Sequence, residues 1–256
     1  RYYFIQVPIS VVSIIPLLFP QYKLARPVWI GLLLLLVLLH IPYLYEMDNY
    51  TYIHIYLCLA ILVCTYADDF ESSMAYNARV MLIIIFGFAT LNKSLSTEYT
   101  NGDFFHFSAL TDNRFTKFLS SIKILPHPVM QHNWASFMYM INDAPMPYQN
   151  TLQSTPAVAT VASLLTWGAI ILEGSIALLF LLPEKYKLSQ YRDYLLFTFI
   201  IVTYSFANVT GFGCAIAILG IAQSKSKKKA LVFALLFLLL QLYSMGIYKV
   251  FNKLGM

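Results

Sequence analysis

Residues 157–182 read AVATVASLLTWGAIILEGSIALLFLL and carry one charged side chain, Glu173. A run of about 20 apolar residues is enough to cross a bilayer as a helix. Similar runs recur at about 3–19, 28–45, 51–66, 80–95, 194–222 and 230–248. No water-soluble fold can hide so many of them, because its surface needs charge. Charged residues make up 11% of the chain, against about 25% in an ordinary soluble domain. The runs are continuously apolar, whereas the strands of a membrane β-barrel alternate. The expected fold is therefore all-α, a polytopic helical membrane protein of about six to seven transmembrane spans plus an interfacial helical segment.

Residues 1–256 read as a single integral membrane domain, with a long non-membrane or interfacial section at about 96–156. Within it, RFTKFLSSIKIL sets Phe115, Phe118, Leu119, Ile122 and Leu125 on one helical face, with Arg114, Lys117 and Lys123 elsewhere. That is the pattern of an amphipathic helix lying in the interface. PHPVMQHNWASFMYM follows as a second short apolar or interfacial element. The section 194–222 is interrupted by NVTGFG, residues 208–213, whose glycines weaken a helix. It is too short for two full crossings, so it reads as one long bent helix or a re-entrant pair.

The net charge of +5 gathers in loops, chiefly at Lys225, Lys227, Lys228 and Lys229. Lysines beside a membrane helix favour the cytoplasmic side. With residues 21–27 and 183–193 also cytoplasmic, a re-entrant 194–222 keeps residues 225–229 inside. The expected location is a bacterial inner membrane, multi-pass. Expected partners are membrane lipids and other membrane protein subunits. Nucleic acid is not expected, since no folded basic surface accompanies the lysines. Cys58, Cys64 and Cys214 lie in apolar runs and read as small core side chains.

Ionisable groups inside spans cost about 2.5–3.5 kcal/mol on insertion scales, so those that occur mark function or pairing. Lys93 stands at the end of the 80–95 run. There it either snorkels to the headgroups or, where partly desolvated, serves as a base. Glu173 lies deep in its run, with nothing nearby in sequence to neutralise it. It must be protonated, paired with another span or turned to a hydrated cavity. Lys93 is a plausible partner. Lys93 and Glu173 are the catalytic candidates, with His106 in GDFFHFSAL as a weaker acid–base group; Asn92, Asn208 and Trp167 are candidate substrate contacts. His40 and His54 sit alone in spans, and His127 and His132 are five apart in a Pro-rich loop, so no metal spacing appears. ADDFESS, residues 67–73, reads as a solvated loop.

Arg79, the apolar span after it and FGFATLNK, residues 86–93, resemble the R…YF-AG-x-K-L segment of the transmembrane domain shared with vitamin K-dependent γ-carboxylases. This is the horizontally transferred transmembrane domain family. ILEGSIALLFLLPEKYK, residues 171–187, resembles that family's E…LLF.P..R helix and loop, and the order of elements agrees over about 50–222. DoxX-like membrane proteins show a similar GxxK helix. The carboxylase resemblance implies that Lys93 matches the lysine taken to deprotonate reduced vitamin K. Asp68 and Asp69 stand near the place of the family's catalytic histidine, and YLLFTFIIV stands where a second histidine is expected. A luminal domain for the glutamyl substrate is not present in these residues. The resemblance thus implies the fold and a lipophilic, quinone-like ligand more than the carboxylation itself. No other cofactor is evident. Two functions remain open. One is a small membrane enzyme binding or processing such a ligand, with Lys93 as base or hydrogen-bond donor. The other is a non-catalytic accessory or scaffold subunit of a larger membrane complex.

Overall fold

The computed structural model describes residues 24–41, 49–142, 151–206 and 209–244, together with residues 12, 15, 18 and 19. Every regular element among the described residues is a helix, as the continuous apolar runs require. In chain order these are α1 (Arg26–His40), α2 (Asn49–Cys64), α3 (Phe70–Leu95), α4 (Thr97–Thr100), α5 (Asp103–Thr111), α6 (Asn113–Ser121) and α7 (His127–Asn142). Then come α8 (Pro156–Leu181), a 3₁₀ turn (Lys187–Tyr191), α9 (Arg192–Phe206), α10 (Thr210–Gln223) and α11 (Lys227–Ser244). The run at 3–19 falls almost wholly outside the described residues.

Two of these helices, α3 and α8, are long and apolar enough to cross a membrane. At 26 residues each they reach about 39 Å, beyond the roughly 30 Å hydrocarbon core. Leu164, Trp167, Ile171, Leu178 and Leu181 of α8 are all exposed on the protein surface. A helix that is apolar on its outer as well as its inner side belongs in an apolar surrounding. Helices α1, α2 and α10 are apolar but shorter.

The chain divides into two compact units, Arg1–Leu82 with Thr210–Met256 and Ile83–Val209. In the first, α1 packs on α2, and α10 packs on both α2 and α11. Leu32, Leu36 and Cys58 form a buried cluster there, bordered by Trp29, Leu33 and Ile55. Gly220 of α10 lies against the buried Phe233 ring of α11, and a Cβ at 220 would stand 2.5 Å from Phe233 Cε1. Cys58, Cys64 and Cys214 are buried and free. The thiol of Cys58 donates to the Trp29 carbonyl at 3.6 Å, and the Gln241 amide donates to Cys214 Sγ at 3.3 Å.

In the second unit, α5 and α9 pack on α8, while α5, α6 and α7 pack on one another. Ala109, Leu110, Leu119, Leu125 and Val158 make its buried core. Caps fix where the helices start. Thr155 precedes Pro156, the first residue of α8, and its hydroxyl accepts the Val158 N–H. Asp112 does the same for α6 through the Arg114 N–H at 2.8 Å.

The structure departs from sequence expectation in two places and adds detail in a third. First, α3 starts at Phe70 and not near 80, so ADDFESS is no simple loop. Asp69 caps the helix by accepting the Ser72 N–H at 3.1 Å. The polar Asn77 is satisfied within the fold, donating to the Ser73 carbonyl at 2.9 Å. Second, α6 is amphipathic as expected but ends at Ser121, so Ile122 and Leu125 of the expected face lie beyond it, and part of the face packs inside the protein. Leu119 is fully buried in the core cluster with Phe118 against it, and Phe118 also packs edge-on to Phe206 at 4.6 Å. The turn after α6 locks this arrangement. Lys123 adopts φ 62, and the Ile124 N–H reaches back to the Leu119 carbonyl at 2.9 Å, closing a left-handed helix cap that delivers Leu125 to the core. Third, the 194–222 run is two helices, α9 ending at Phe206 and α10 starting at Thr210.

Candidate functional site

One face of α3 carries Phe86, Thr90 and Lys93, spaced i, i+4 and i+7. Phe86 is buried and meets Phe199 edge to face, with ring centres 4.8 Å apart. The Thr90 hydroxyl donates to the Phe86 carbonyl at 2.8 Å. Its methyl lies where a side chain on residue 174 of α8 would otherwise stand, 3.2 Å from the ideal Cβ position. Glycine at 174 therefore lets the two long helices approach closely at this level, beside Glu173.

One turn beyond Thr90, Lys93 Nζ donates to both carboxylate oxygens of Glu173, at 2.6 Å to Oε1 and 2.5 Å to Oε2. The two side chains are 16% and 10% exposed, so Lys93 is paired and partly desolvated, the second of the two readings open for it. Each charge alone would carry a desolvation penalty of several kcal/mol in such a place. Joined, they present a neutral, strongly dipolar unit, and this answers how Glu173 is tolerated inside an apolar helix. The pair is a charge-assisted bidentate contact in which every Glu173 oxygen has a donor.

The segment after α3 lays Tyr99 of α4 over this pair. Its ring centre lies 5.9 Å from Lys93 Nζ, within cation–π range. Phe104 stacks on the same ring at 4.3 Å and Phe105 meets it at 6.2 Å. Burial pushes the Tyr99 phenol up, and the Glu173 and Glu98 carboxylates push it the same way. Tyr99 thus remains a neutral O–H donor at physiological pH. Gly102 makes the turn possible with φ 83, a conformation that a side chain would strain. It seats the turn on α8, its Cβ direction facing Ser163 and Thr166. Thr166 is 1% exposed, and its hydroxyl has no hydrogen-bond partner among the described residues. A buried hydroxyl left in that state is uncommon and marks a place for a polar partner.

The remaining candidates do not join this cluster. Asn92 is exposed, one position and so about 100° around α3 from Lys93. Trp167 is 52% exposed on a face of α8 about 120° from that of Glu173. Asn208 lies outside the described residues. His106 meets Ser154, with Nε2 and Oγ 2.6 Å apart. His40 bonds the Leu36 carbonyl of its own helix at 2.6 Å. Among the described residues, no group of three or more His, Cys, Asp or Glu side chains could hold a metal ion.

Tyr99 and Thr166 were not foreseen from sequence, because neither belongs to a recognisable spacing. Gly174 carried a usable signal: a glycine directly after the one charged residue of an apolar helix points to close helix contact. No protein family, curated protein or solved structure matches this chain.

Proposed function

We propose that this is a multi-pass membrane protein of the carboxylase-type or DoxX-like transmembrane fold that binds, and through Lys93 acts on, a lipophilic quinone-like molecule. The bidentate Lys93–Glu173 pair under Tyr99 is the observation that carries the proposal. An ammonium held by a carboxylate between two apolar helices is a ready donor to a quinone carbonyl arriving from the bilayer. It also serves as a base. When Lys93 yields its proton to Glu173, the neutral amine takes one from a ligand hydroxyl, leaving Lys93 as ammonium, Glu173 as acid and the ligand as oxyanion. The site and ligand together keep zero net charge throughout, which a low-dielectric surrounding favours.

Six crossings follow if the apolar run at 3–19, α1, α2 and α11 span with α3 and α8, and a seventh if the 194–222 section crosses once. The break between α9 and α10 supports the re-entrant arrangement. At 15 and 14 residues they reach about 22 and 21 Å, short of the hydrocarbon core. Residues 225–229 then face the cytoplasm.

The direct test is binding of a short-chain ubiquinone and its quinol to the purified protein in detergent, followed by absorbance. Wild type is expected to bind and to shift the quinol spectrum toward the anion, whereas Lys93→Met and Glu173→Gln lose the shift. Equal binding and spectra for wild type and Lys93→Met reject the proposal. The accessory-subunit alternative draws on Tyr56, Tyr66 and Tyr76, each more than 60% exposed. It predicts stable co-purification with membrane subunits, and a protein that stays alone in mild detergent counts against it.

A further inference from the structure

Helix α7 packs Val129 and Met130 on the core and exposes Gln131 and His132, but its C-terminal half turns polar side chains inward and apolar ones outward. Its fully buried residue is Asn133, followed by Ser136 at 6% exposure. Trp134, Met138, Tyr139, Met140 and Ile141 are instead 38–59% exposed. No Asp, Glu, Lys or Arg occurs anywhere in HPVMQHNWASFMYMIN. A helix facing water has the opposite arrangement, polar side outward. The amphipathic α6 nearby supplies the contrast, since its apolar side chains turn inward and its exposed ones include Asn113, Arg114 and Ser121.

The inward polar face of α7 fixes where this helix lies. Asn133 Nδ2 donates to the Gln153 carbonyl and Asn133 Oδ1 accepts the Gln153 N–H, both at 2.8 Å. Gln153 lies three residues before Pro156, where the long apolar α8 starts. A 26-residue helix overshoots the hydrocarbon core by about 9 Å in all, so its first turn stands at the headgroup level. Asn133 therefore tethers the middle of α7 to the level where α8 enters the membrane. Trp and Tyr favour that boundary, with ring in the apolar zone and polar edge in the headgroups.

We infer that the C-terminal half of α7, Trp134 to Ile141, is inserted into the acyl-chain boundary of the bilayer and anchors the α4–α7 section at the mouth of α8. This rests on the membrane reading above and adds to it the element that meets lipid. The occupant of the exposed face is a lipid surface, not a protein. Its neutrality excludes an attraction specific to anionic headgroups.

Single-tryptophan chains test this in phosphatidylcholine vesicles brominated at the 6,7 or 11,12 acyl carbons. Trp29→Phe/Trp167→Phe leaves Trp134, and Trp29→Phe/Trp134→Phe leaves Trp167 on α8. Quenching of Trp134, stronger by the shallow 6,7-bromines than by the deep ones, is the expected result. Trp134 unquenched while Trp167 is quenched overturns the insertion of α7 and leaves the membrane reading standing. Neither quenched overturns both. A nitroxide on Met138→Cys in the otherwise native chain gives an independent measurement. More frequent collision with oxygen than with a water-soluble nickel chelate supports insertion. Spectral broadening by a second label places another copy of the chain on this face and overturns it.

Discussion

The Thr90 methyl occupies the space that any side chain at residue 174 would need, 3.2 Å from a Cβ built on Gly174. This contact lies one turn from Lys93 and next to Glu173, so it sets the spacing across which the ion pair forms. Overfilling a packed contact costs about 1–3 kcal/mol. Gly174→Ala is expected at the low end, and Gly174→Leu at the high end with the pair broken. Thr90→Ser removes the methyl and should relieve Gly174→Ala. Thermal unfolding in detergent of the two singles and the double reads this. An equal penalty for Gly174→Ala in both backgrounds would refute the contact.

Breaking the Lys93–Glu173 pair from one side leaves a buried charge without its partner. Loss of one member of a fully buried pair costs about 3–5 kcal/mol, and partial exposure places the cost here toward the lower end. Lys93→Met and Glu173→Gln should each destabilise by that order. Lys93→Met/Glu173→Leu removes both charges and should lose clearly less than the two singles together. A double-mutant cycle from denaturant unfolding in mixed micelles measures the coupling. Additive losses would mean that the two groups do not share their charge.

Gly220 packs tightly in the first unit, with Phe233 atoms 2.5–2.8 Å from the position of its missing Cβ. Phe233 is fully buried and has little room to turn. Gly220→Ala is expected to destabilise the α10–α11 pair by about 1–3 kcal/mol, despite alanine's better helix propensity. Phe233→Leu should recover part of the loss. A Gly220→Ala protein as stable as wild type would show that α11 can shift freely.

Asp112 caps α6 and also bonds the Arg114 side chain through Nε at 2.9–3.0 Å and through Nη2. Burial pushes its carboxyl up, but the Arg114 bonds and charge outweigh burial and hold it below the usual carboxylate range. A carboxyl lowered in the folded state stabilises above its unfolded value, about 3.9, and that stability is lost as pH falls through the folded value. Asp112→Ala should therefore cost about 1 kcal/mol near neutrality, with the gap to wild type closing below about pH 4. Unfolding midpoints of both proteins between neutral and acidic pH read the effect. A gap that widens on acidification has the wrong sign for this mechanism.

Much of the secondary structure was legible in the chain because helices inside apolar runs need no partner to be recognised. The run at 157–182 and helix α8 differ by one residue at each end. Misreadings came where polarity was satisfied locally. Asp69 looked like a loop residue and is a helix cap. The α6 periodicity correctly predicted an amphipathic helix but could not name what its apolar face would touch. Periodicity describes a face, and only packing supplies its neighbour, here Leu125, Val158 and Leu110.

By itself the sequence determined the helical class, the apolar character of the long helices and that Glu173 must be protonated, paired or turned to a hydrated cavity. These follow from composition and local spacing, and from the cost of an isolated charge, none of which depends on how distant segments meet. Tertiary structure alone decided that the partner is Lys93, 80 positions away, that Tyr99 covers the pair, and that α7 turns Asn133 inward and Trp134 outward. Each depends on which helix faces approach. That is settled by small contacts such as Gly174 against Thr90 and Asn133 against Gln153, and such contacts leave no period in the chain.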